Sequence, residues 1–267
     1  MKFRVMFRPD PPCGARWLAA VVSTTFLLAA APVQAQDASK ILKAMSDYVA
    51  AQKTLSIAFN SDIEVVTSDV QKIQFTASGQ VLLSRPDKIR ATRTGGYADV
   101  ELVFDGKTLS VLGKNINAYA QKEAPGTVDQ LIDRLRNELG VAMPGADLLL
   151  SNVYDQLMMD VLDAKHIGLG VIDGVECEHL AFRNEDTDWQ IWIEAGARPI
   201  PRKYVITTKA VNGAPQYTLH IKEWKADVPV SPDAFAFKPP ASAKKVEFGA
   251  LSDIDEVPPG VPTGGKK

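Results

Sequence analysis

The sequence predicts an α+β fold in which a large, curved antiparallel sheet of about eleven strands carries helices over its concave face. Three observations lead to this prediction. Apolar and polar residues alternate with a period of two in both halves of the 267-residue chain, as in antiparallel strands with one solvated face. Two-residue turn pairs separate several of these runs. Helical periodicity is confined to a leading segment and to one interruption in the middle.

The leading segment, residues 38–53, predicts a helix because its apolar residues repeat at helical spacing and form one stripe. This stripe consists of Ile41, Leu42, Met45, Tyr48 and Val49. The period then changes to two over residues 55–65 and again over residues 73–83. Two long strands with one wet face therefore follow the helix.

Further strands are predicted on both sides of short turns. Asp105-Gly106 joins two strands in the first half, and Asp173-Gly174 and Asn212-Gly213 join strands in the second half. A sheet of this size must curl, because the twist of each strand adds to that of its neighbours. A curled sheet has a concave face, and the helices are its natural cover.

The interruption in the middle predicts two helices. Residues 127–139 place apolar side chains at helical spacing, with Thr127 as the N-cap and Gly140 as the stop. Residues 146–162 predict a second helix that is apolar around most of its circumference. Such a helix must be buried on more than one side.

Composition and charge exclude several classes of protein. The chain is 46% apolar and 23% charged, with a formal net charge of −2. It therefore lacks the surplus of Lys and Arg that a strongly basic nucleic-acid-binding protein uses to displace counterions. Two Cys residues are too few for a disulfide-rich scaffold.

The first 35 residues predict a secretory signal peptide. A basic start, an apolar run over residues 17–31 and small residues before the cut are its three parts. We expect cleavage after Ala35. An uncleaved membrane anchor is the alternative, although the apolar run is short for a bilayer. Cys13 precedes the apolar run, so the signal has no lipobox.

A signal peptide of this kind places the protein in the periplasm. Residues 36–251 are expected to form one domain. Residues 252–267 are rich in Pro and Gly and are expected to be a disordered tail.

The sequence carries no motif for catalysis or cofactor binding. It has no Gly-x-Ser-x-Gly, no His-Glu-x-x-His and no glycine-rich phosphate- or dinucleotide-binding loop. Cys177 and His179 lie two residues apart on one strand face, and with His166 they are too few for a structural zinc site. We therefore predict that the protein is not an enzyme and has no catalytic residue, metal site or cofactor.

Three motifs, in their order along the chain, resemble the LolA/LolB-like outer-membrane lipoprotein carriers. The first is a strand that begins at Gly79 and ends in Arg85-Pro86, the second is a strand pair joined by Asp105-Gly106-Lys107, and the third is Phe-x-Phe-x-Pro-Pro over residues 235–240. Within this superfamily, three further segments resemble a family of predicted periplasmic proteins of unknown function. They are residues 189–194, 201–207 and 244–248.

The resemblance implies a half-barrel with helices as a lid over an apolar cavity for acyl chains. It also implies that Arg85 hydrogen-bonds the lid and helps to set its opening, whereas a solvated Arg at a strand end is the alternative. Leu150, Tyr154, Leu157 and Met158 of the second middle helix are the candidate ligand-binding residues, since flexible Met side chains suit variable apolar ligands. The same four residues could instead fill a closed core.

The sequence and the resemblance together predict a periplasmic, non-catalytic binding or carrier protein for a lipid, a lipoprotein acyl chain or another apolar ligand. The alternative is a periplasmic interaction or regulatory protein of the same fold that senses envelope components. In that case the outer face of the sheet, where Trp192 lies, would contact an envelope protein. Neither interpretation involves nucleic acid or a membrane span after signal cleavage.

Overall fold

The computed structural model describes residues 31–251, 254–258 and 261. Within these residues it has one sheet of twelve strands, three α-helices and two short 3₁₀ turns. The helices are α1 (Ala31–Ala51), α2 (Val128–Asn137) and α3 (Val153–Leu157), and the 3₁₀ turns are Ala146–Leu149 and Phe248–Ala250. The strands are β1 (Thr54–Val66), β2 (Lys72–Ser84), β3 (Lys88–Gly95), β4 (Asp99–Phe104), β5 (Thr108–Gly113), β6 (Ala118–Glu123), β7 (Asp163–Ile172), β8 (Val175–Arg183), β9 (Thr187–Glu194), β10 (Pro201–Thr208), β11 (Gln216–Ala226) and β12 (Lys244–Lys245).

The predicted signal peptide falls mainly on residues 1–30, which lie outside the described residues. Its last five residues belong to α1. Much of the predicted tail also lies outside the described residues, whereas residues 254–258 and 261 are described.

The sheet is open, and its strands lie in the order β12-β6-β5-β4-β3-β2-β1-β11-β10-β9-β8-β7. Strands β2 to β6 follow one another on one side of β1, and β11 pairs with its other side. The pair of β1 and β11 therefore joins the two halves of the sheet. Neighbouring strands are antiparallel, except that the two residues of β12 pair in parallel with β6. The predicted α+β fold with a curved antiparallel sheet is confirmed, and the described residues contain one strand more than expected.

The helices cover the concave face of the sheet and share one core with it. Apolar side chains from α1 and α2 meet those of the strands there. The largest fully buried side chains are Phe104, Leu42, Met45, Leu55, Leu83, Leu109, Ile132, Leu180, Ile191, Ile193, Val49 and Val103. None of the described helices is both long enough and apolar enough to cross a membrane.

Helix α2 begins where the sequence predicts. The Thr127 side chain accepts a hydrogen bond from the Gln130 amide, and the Gln130 side chain accepts one from the Thr127 amide, which forms a capping box. This arrangement satisfies two of the amide groups that the start of a helix leaves without partners.

The continuous helix predicted over residues 146–162 is wrong. The structure has instead the 3₁₀ turn, an extended Leu150, and the short helix α3. Ser151 donates both its amide and its hydroxyl hydrogen to the carboxylate of Asp129 in α2. This bonding competes with a helical path for the backbone and breaks the segment in two.

Candidate functional site

Arg85 lies at the junction of three segments. Its amide donates to the Lys53 carbonyl, 2.9 Å away, just after helix α1. Its Nε donates to the Gln52 carbonyl at 3.2 Å, and its Nη2 donates to the Leu150 carbonyl, also at 3.2 Å. One side chain therefore ties the end of β2 to the end of α1 and to the segment between the 3₁₀ turn and α3.

The side chain of Arg85 is half-buried. Burial lowers the pKa of its guanidinium, and the nearby Asp129 carboxylate opposes this effect. Asp129 also binds Ser151, the residue after Leu150. Arg85 and Asp129 thus hold the same short segment from two sides.

The four predicted ligand-binding residues lie close together in this region, within or against the core. Leu150 and Leu157 are buried in the core, while Tyr154 and Met158 are partly buried and pack against it. The ammonium group of Lys43 in α1 lies 5.7 Å from the centroid of the Tyr154 ring. All four residues therefore lie in or against the core.

A groove of about 500 Å³ lies elsewhere on the covered face. Its floor is formed by strands β1, β10 and β11, and its opposite wall is formed by the linker segment, residues 138–145, which joins α2 to the first 3₁₀ turn. It is lined by Ile63, Glu64, Arg136, Val141, Ala142, Met143, Pro144, Asp147, Ile206, Thr208, Pro215, Gln216 and Tyr217. None of the predicted ligand-binding residues is in this lining.

The linker segment is held on the sheet at one glycine. Gly145 has a φ of +81°, and a Cβ atom there would lie 3.0 Å from the Cδ2 atom of Leu219 in β11. A larger residue would be strained in this conformation and would push the linker away from the strand. Gly145 thus brings the linker close enough to form a wall.

The charged side chains that line the groove are paired with other groups of the same chain. Arg136 Nη1 lies 2.8 Å from Asp147 Oδ1, and Arg136 Nη2 donates to the Met143 carbonyl at 3.1 Å. Glu64 accepts a hydrogen bond from the Gln216 amide at 2.9 Å and pairs with Lys72. Burial raises the pKa of the Tyr217 hydroxyl far above its usual range, so this side chain stays neutral. The unpaired part of the lining is therefore mainly apolar.

The sequence gives little indication of this groove. Met143-Pro144-Gly145 indicates only a turn between two helices. Tyr217 alternates with polar residues on its strand, and Ile206 lies between Val205 and Thr207, but neither pattern reveals which part of a sheet face is covered. The one usable signal is the apolar content of the linker, where Val141 is exposed.

The residues considered for metal binding do not form a site. Cys177 is fully buried and donates its thiol hydrogen to the Val175 carbonyl. His179 stacks on Trp192, with ring centroids 4.1 Å apart. The described part of the chain has no cluster of three His, Cys, Asp or Glu residues that could hold a metal ion.

Comparisons with known proteins give one family match. A family model described as predicted periplasmic protein (DUF2092) matches residues 38–249. An uncharacterized protein of Methanocaldococcus jannaschii is 23% identical over 231 residues, which are 84% of this chain and 59% of the relative. The chain therefore spans about three fifths of the length of this curated relative.

Many solved structures are similar in fold, and two of them serve as examples. One is an uncharacterized conserved protein from Thermus thermophilus, with a TM-score of 0.45 and 12% identity, over 79% of this chain and 99% of the other. The second is the Mycobacterium tuberculosis lipoprotein LppX, with a TM-score of 0.44 and 13% identity, over 73% of this chain and 99% of the other.

Proposed function

The chain belongs to the DUF2092 family of predicted periplasmic proteins, and from this premise we propose that it is a periplasmic binding or carrier protein without catalytic activity. Its ligand is a lipid, a lipoprotein acyl chain or another apolar molecule. The observation that carries this proposal is the groove of about 500 Å³ between the linker segment and the sheet. Ligand pockets typically enclose about 300–1,000 Å³, so the groove has a suitable size.

The lining of the groove favours an apolar ligand. Its charged residues are already paired, and Ile63, Val141, Met143 and Ile206 offer apolar surface. Burial of apolar surface contributes about 0.8 kcal/mol per methylene, so about six buried methylenes of an acyl chain contribute about 5 kcal/mol. The partly buried Met143 can adapt to different chains because its side chain is unbranched and flexible.

The Arg85 junction is the proposed control point for opening. Residues 150 and 151 are held by Arg85 and Asp129, and the 3₁₀ turn before them continues into the wall of the groove at Asp147. Release of this segment would loosen the wall and widen the path to Leu150, Tyr154, Leu157 and Met158. In this proposal those four residues are reached only in an open state.

A pair of Met substitutions tests the groove. We expect Met143→Asp to weaken binding of a fluorescent fatty acid, cis-parinaric acid, by about tenfold or more, because a charge is placed in an apolar lining. Met159→Asp is the matched control, since Met159 is 54% exposed and does not line the groove. Fluorescence titration of delipidated full-length protein measures both affinities.

Two outcomes separate the alternatives. Equal binding by wild type and both variants would place the ligand outside the groove. A wild-type protein that binds no probe and yields no lipid on organic extraction would end the carrier proposal. That result would favour the interaction protein. Its contact surface would then be the exposed apolar side chains of Ile167, Leu169 and Val171 on edge strand β7 rather than the outer face at Trp192, whose ring stacks on His179.

A further inference from the structure

The chain returns to the covered face of the sheet near its C-terminal end. Ile254 packs against the hydrophobic core. Its Cγ2 atom lies 3.0 Å from the position that a Cβ atom would take at Gly113 of β5. Gly113 is two residues beyond the core residue Val111, so both lie on the face that the helices cover. We call residues 254–256 the tail segment.

The tail segment contacts a half-buried arginine on the same face. Arg93 of β3 lies two residues beyond Ala91, which packs against the core. Arg93 Nη1 is 3.2 Å from Glu256 Oε1, and Nη2 donates to the Ile254 carbonyl. The tail segment therefore contacts two of the three guanidinium nitrogens. The N–H group of the third, Nε, is buried and has no hydrogen-bond acceptor among the described residues.

Apolar surface begins directly beside this guanidinium. Gly79 of β2 pairs with Arg93 on one side and with Phe59 of β1 on the other. The Phe59 ring occupies the space that a side chain at position 79 would need. From Phe59 the covered face of β1 leads to Ile63, which lines the groove. Phe59 and Ile63 are four residues apart on the same face of β1, and this face gives the direction in which an acyl chain held at Arg93 would run.

The tail segment has the chemistry of an amphiphile, because Ile254 is apolar and Glu256 carries a carboxylate. We infer that Arg93 binds the carboxylate of an acyl-chain ligand, that is, of a fatty acid, and that the tail segment occupies this place as an internal competitor. This inference rests on the proposed function, since it names the ligand class and the residue that anchors it.

A longer apolar ligand can displace the tail segment. Burial raises the pKa of Glu256, and the charge of Arg93 offsets this effect only in part. The carboxylate therefore loses more solvation free energy on leaving water than it regains from the ion pair with Arg93. A fatty acid presents the same carboxylate with a much larger apolar surface to bury, so it binds in preference to the tail segment.

Two full-length variants and two probes test the inference. The probes are cis-parinaric acid and its methyl ester, which has the same chain without the carboxylate charge. We expect Arg93→Gln to weaken binding of the acid by about tenfold relative to binding of the ester, which keeps or gains affinity because loss of the Arg93 contacts also frees the tail segment. We expect Ile254→Asp to strengthen binding of the acid by about fivefold or more, because the internal competitor is removed.

Val70→Asp is the matched control for Ile254→Asp, since Val70 is an exposed apolar residue on the β1–β2 turn. Circular dichroism and urea unfolding confirm that each variant is folded, and Arg93→Met, which also removes the charge, replaces Arg93→Gln if the latter does not fold. Equal losses for acid and ester on changing Arg93, or unchanged binding in Ile254→Asp, would overturn the inference while the carrier function stands. Failure of wild type to bind either probe would instead remove the carrier function itself.

Discussion

Arg85 illustrates how one side chain can hold together segments that are far apart in the sequence. Its guanidinium reaches the Gln52 and Leu150 carbonyls, which neither α1 nor the 3₁₀ turn satisfies. A half-buried carbonyl without a partner is unfavourable, so these two bonds stabilise the junction as well as restrain it. The solvated arginine considered as the alternative does not describe this geometry, whereas a role in opening stays a prediction.

We expect Arg85→Leu to lower the free energy of unfolding by about 1–3 kcal/mol, because it leaves two carbonyls without their charged donor. Urea denaturation measures this change. Arg198→Leu is the control, since Arg198 is exposed, and its effect should stay within about 0.5 kcal/mol. If Arg85→Leu alters neither stability nor binding of the fatty-acid probe, the proposed control of opening is incorrect.

The residue scale is also where sequence-based prediction of the site is weakest. The pattern of Leu150, Leu157 and Met158 predicts burial, and these residues are buried or partly buried. Whether buried apolar residues surround a space depends on how closely their neighbours pack, which no sequence pattern contains. Arg93 illustrates the same limit, because its contacts with Ile254 and Glu256 join positions more than 150 residues apart.

At the scale of elements, strand β2 depends on a close approach at Gly79. A Cβ atom there would lie 2.5 Å from the Thr92 carbonyl oxygen of β3 and would also clash with the Phe59 ring of β1. The absence of a side chain allows three neighbouring strands to bring a large aromatic ring over the middle strand. The glycine that opens the carrier-like motif thus has a packing reason in this chain.

We expect Gly79→Ala to lower the free energy of unfolding by about 1–3 kcal/mol, because backbone and ring must both move to admit the methyl group. The matched control is Gly96→Ala, since a Cβ atom at Gly96 meets nothing within 4 Å. Thermal or urea unfolding compares the two variants. Equal effects of the two substitutions would show that the crowding at Gly79 does not constrain the sheet.

Elements were predictable where the sequence repeats a pattern over many residues. Alternation over residues 55–65 and 73–83 predicts β1 and β2, and Thr127 correctly predicts the start of α2. The segment over residues 146–162 is a poorer guide, because apolar residues cover most of the circumference of the predicted helix. Its break depends on the bond between Ser151 and Asp129, a contact made only in the folded chain.

At the scale of the whole molecule, three parts of the chain share the concave face. The helices fill the region near Leu150, the linker segment covers β10, β11 and β1, and the tail segment lies over β3 to β5. The curved sheet was predictable because twist accumulates with strand number. The Pro- and Gly-rich composition near the C-terminus gives no indication that Ile254 and Glu256 contact the sheet. The periplasmic location predicted from the signal peptide is confirmed by the match to a family of predicted periplasmic proteins.

The pH dependence of stability combines two opposite effects. Asp69, Asp173 and Glu223 are exposed carboxylates whose pKa values are lowered, chiefly by hydrogen bonds from Thr67, Lys222 and Lys225 respectively. A carboxyl with a lowered pKa contributes stability that is lost as the pH falls through that pKa. Glu256 acts in the opposite direction, because burial raises its pKa above the ordinary value near 4.5. Its contribution is present below the ordinary value and is lost as the pH rises through the raised pKa.

Comparison with Glu256→Gln isolates this contribution, because the variant side chain is neutral at every pH and the other carboxylates are common to both proteins. We expect the wild type to gain stability relative to the variant as the pH falls from about 7 to about 4. Urea unfolding of both proteins across this range measures the difference. Arg93 lies against Glu256 and limits the gain, whereas Asp255 enlarges it, and neutral Tyr217 changes it little. A difference that is constant with pH, or that grows with rising pH, would show that the Glu256 carboxylate is not buried beside Arg93 in solution.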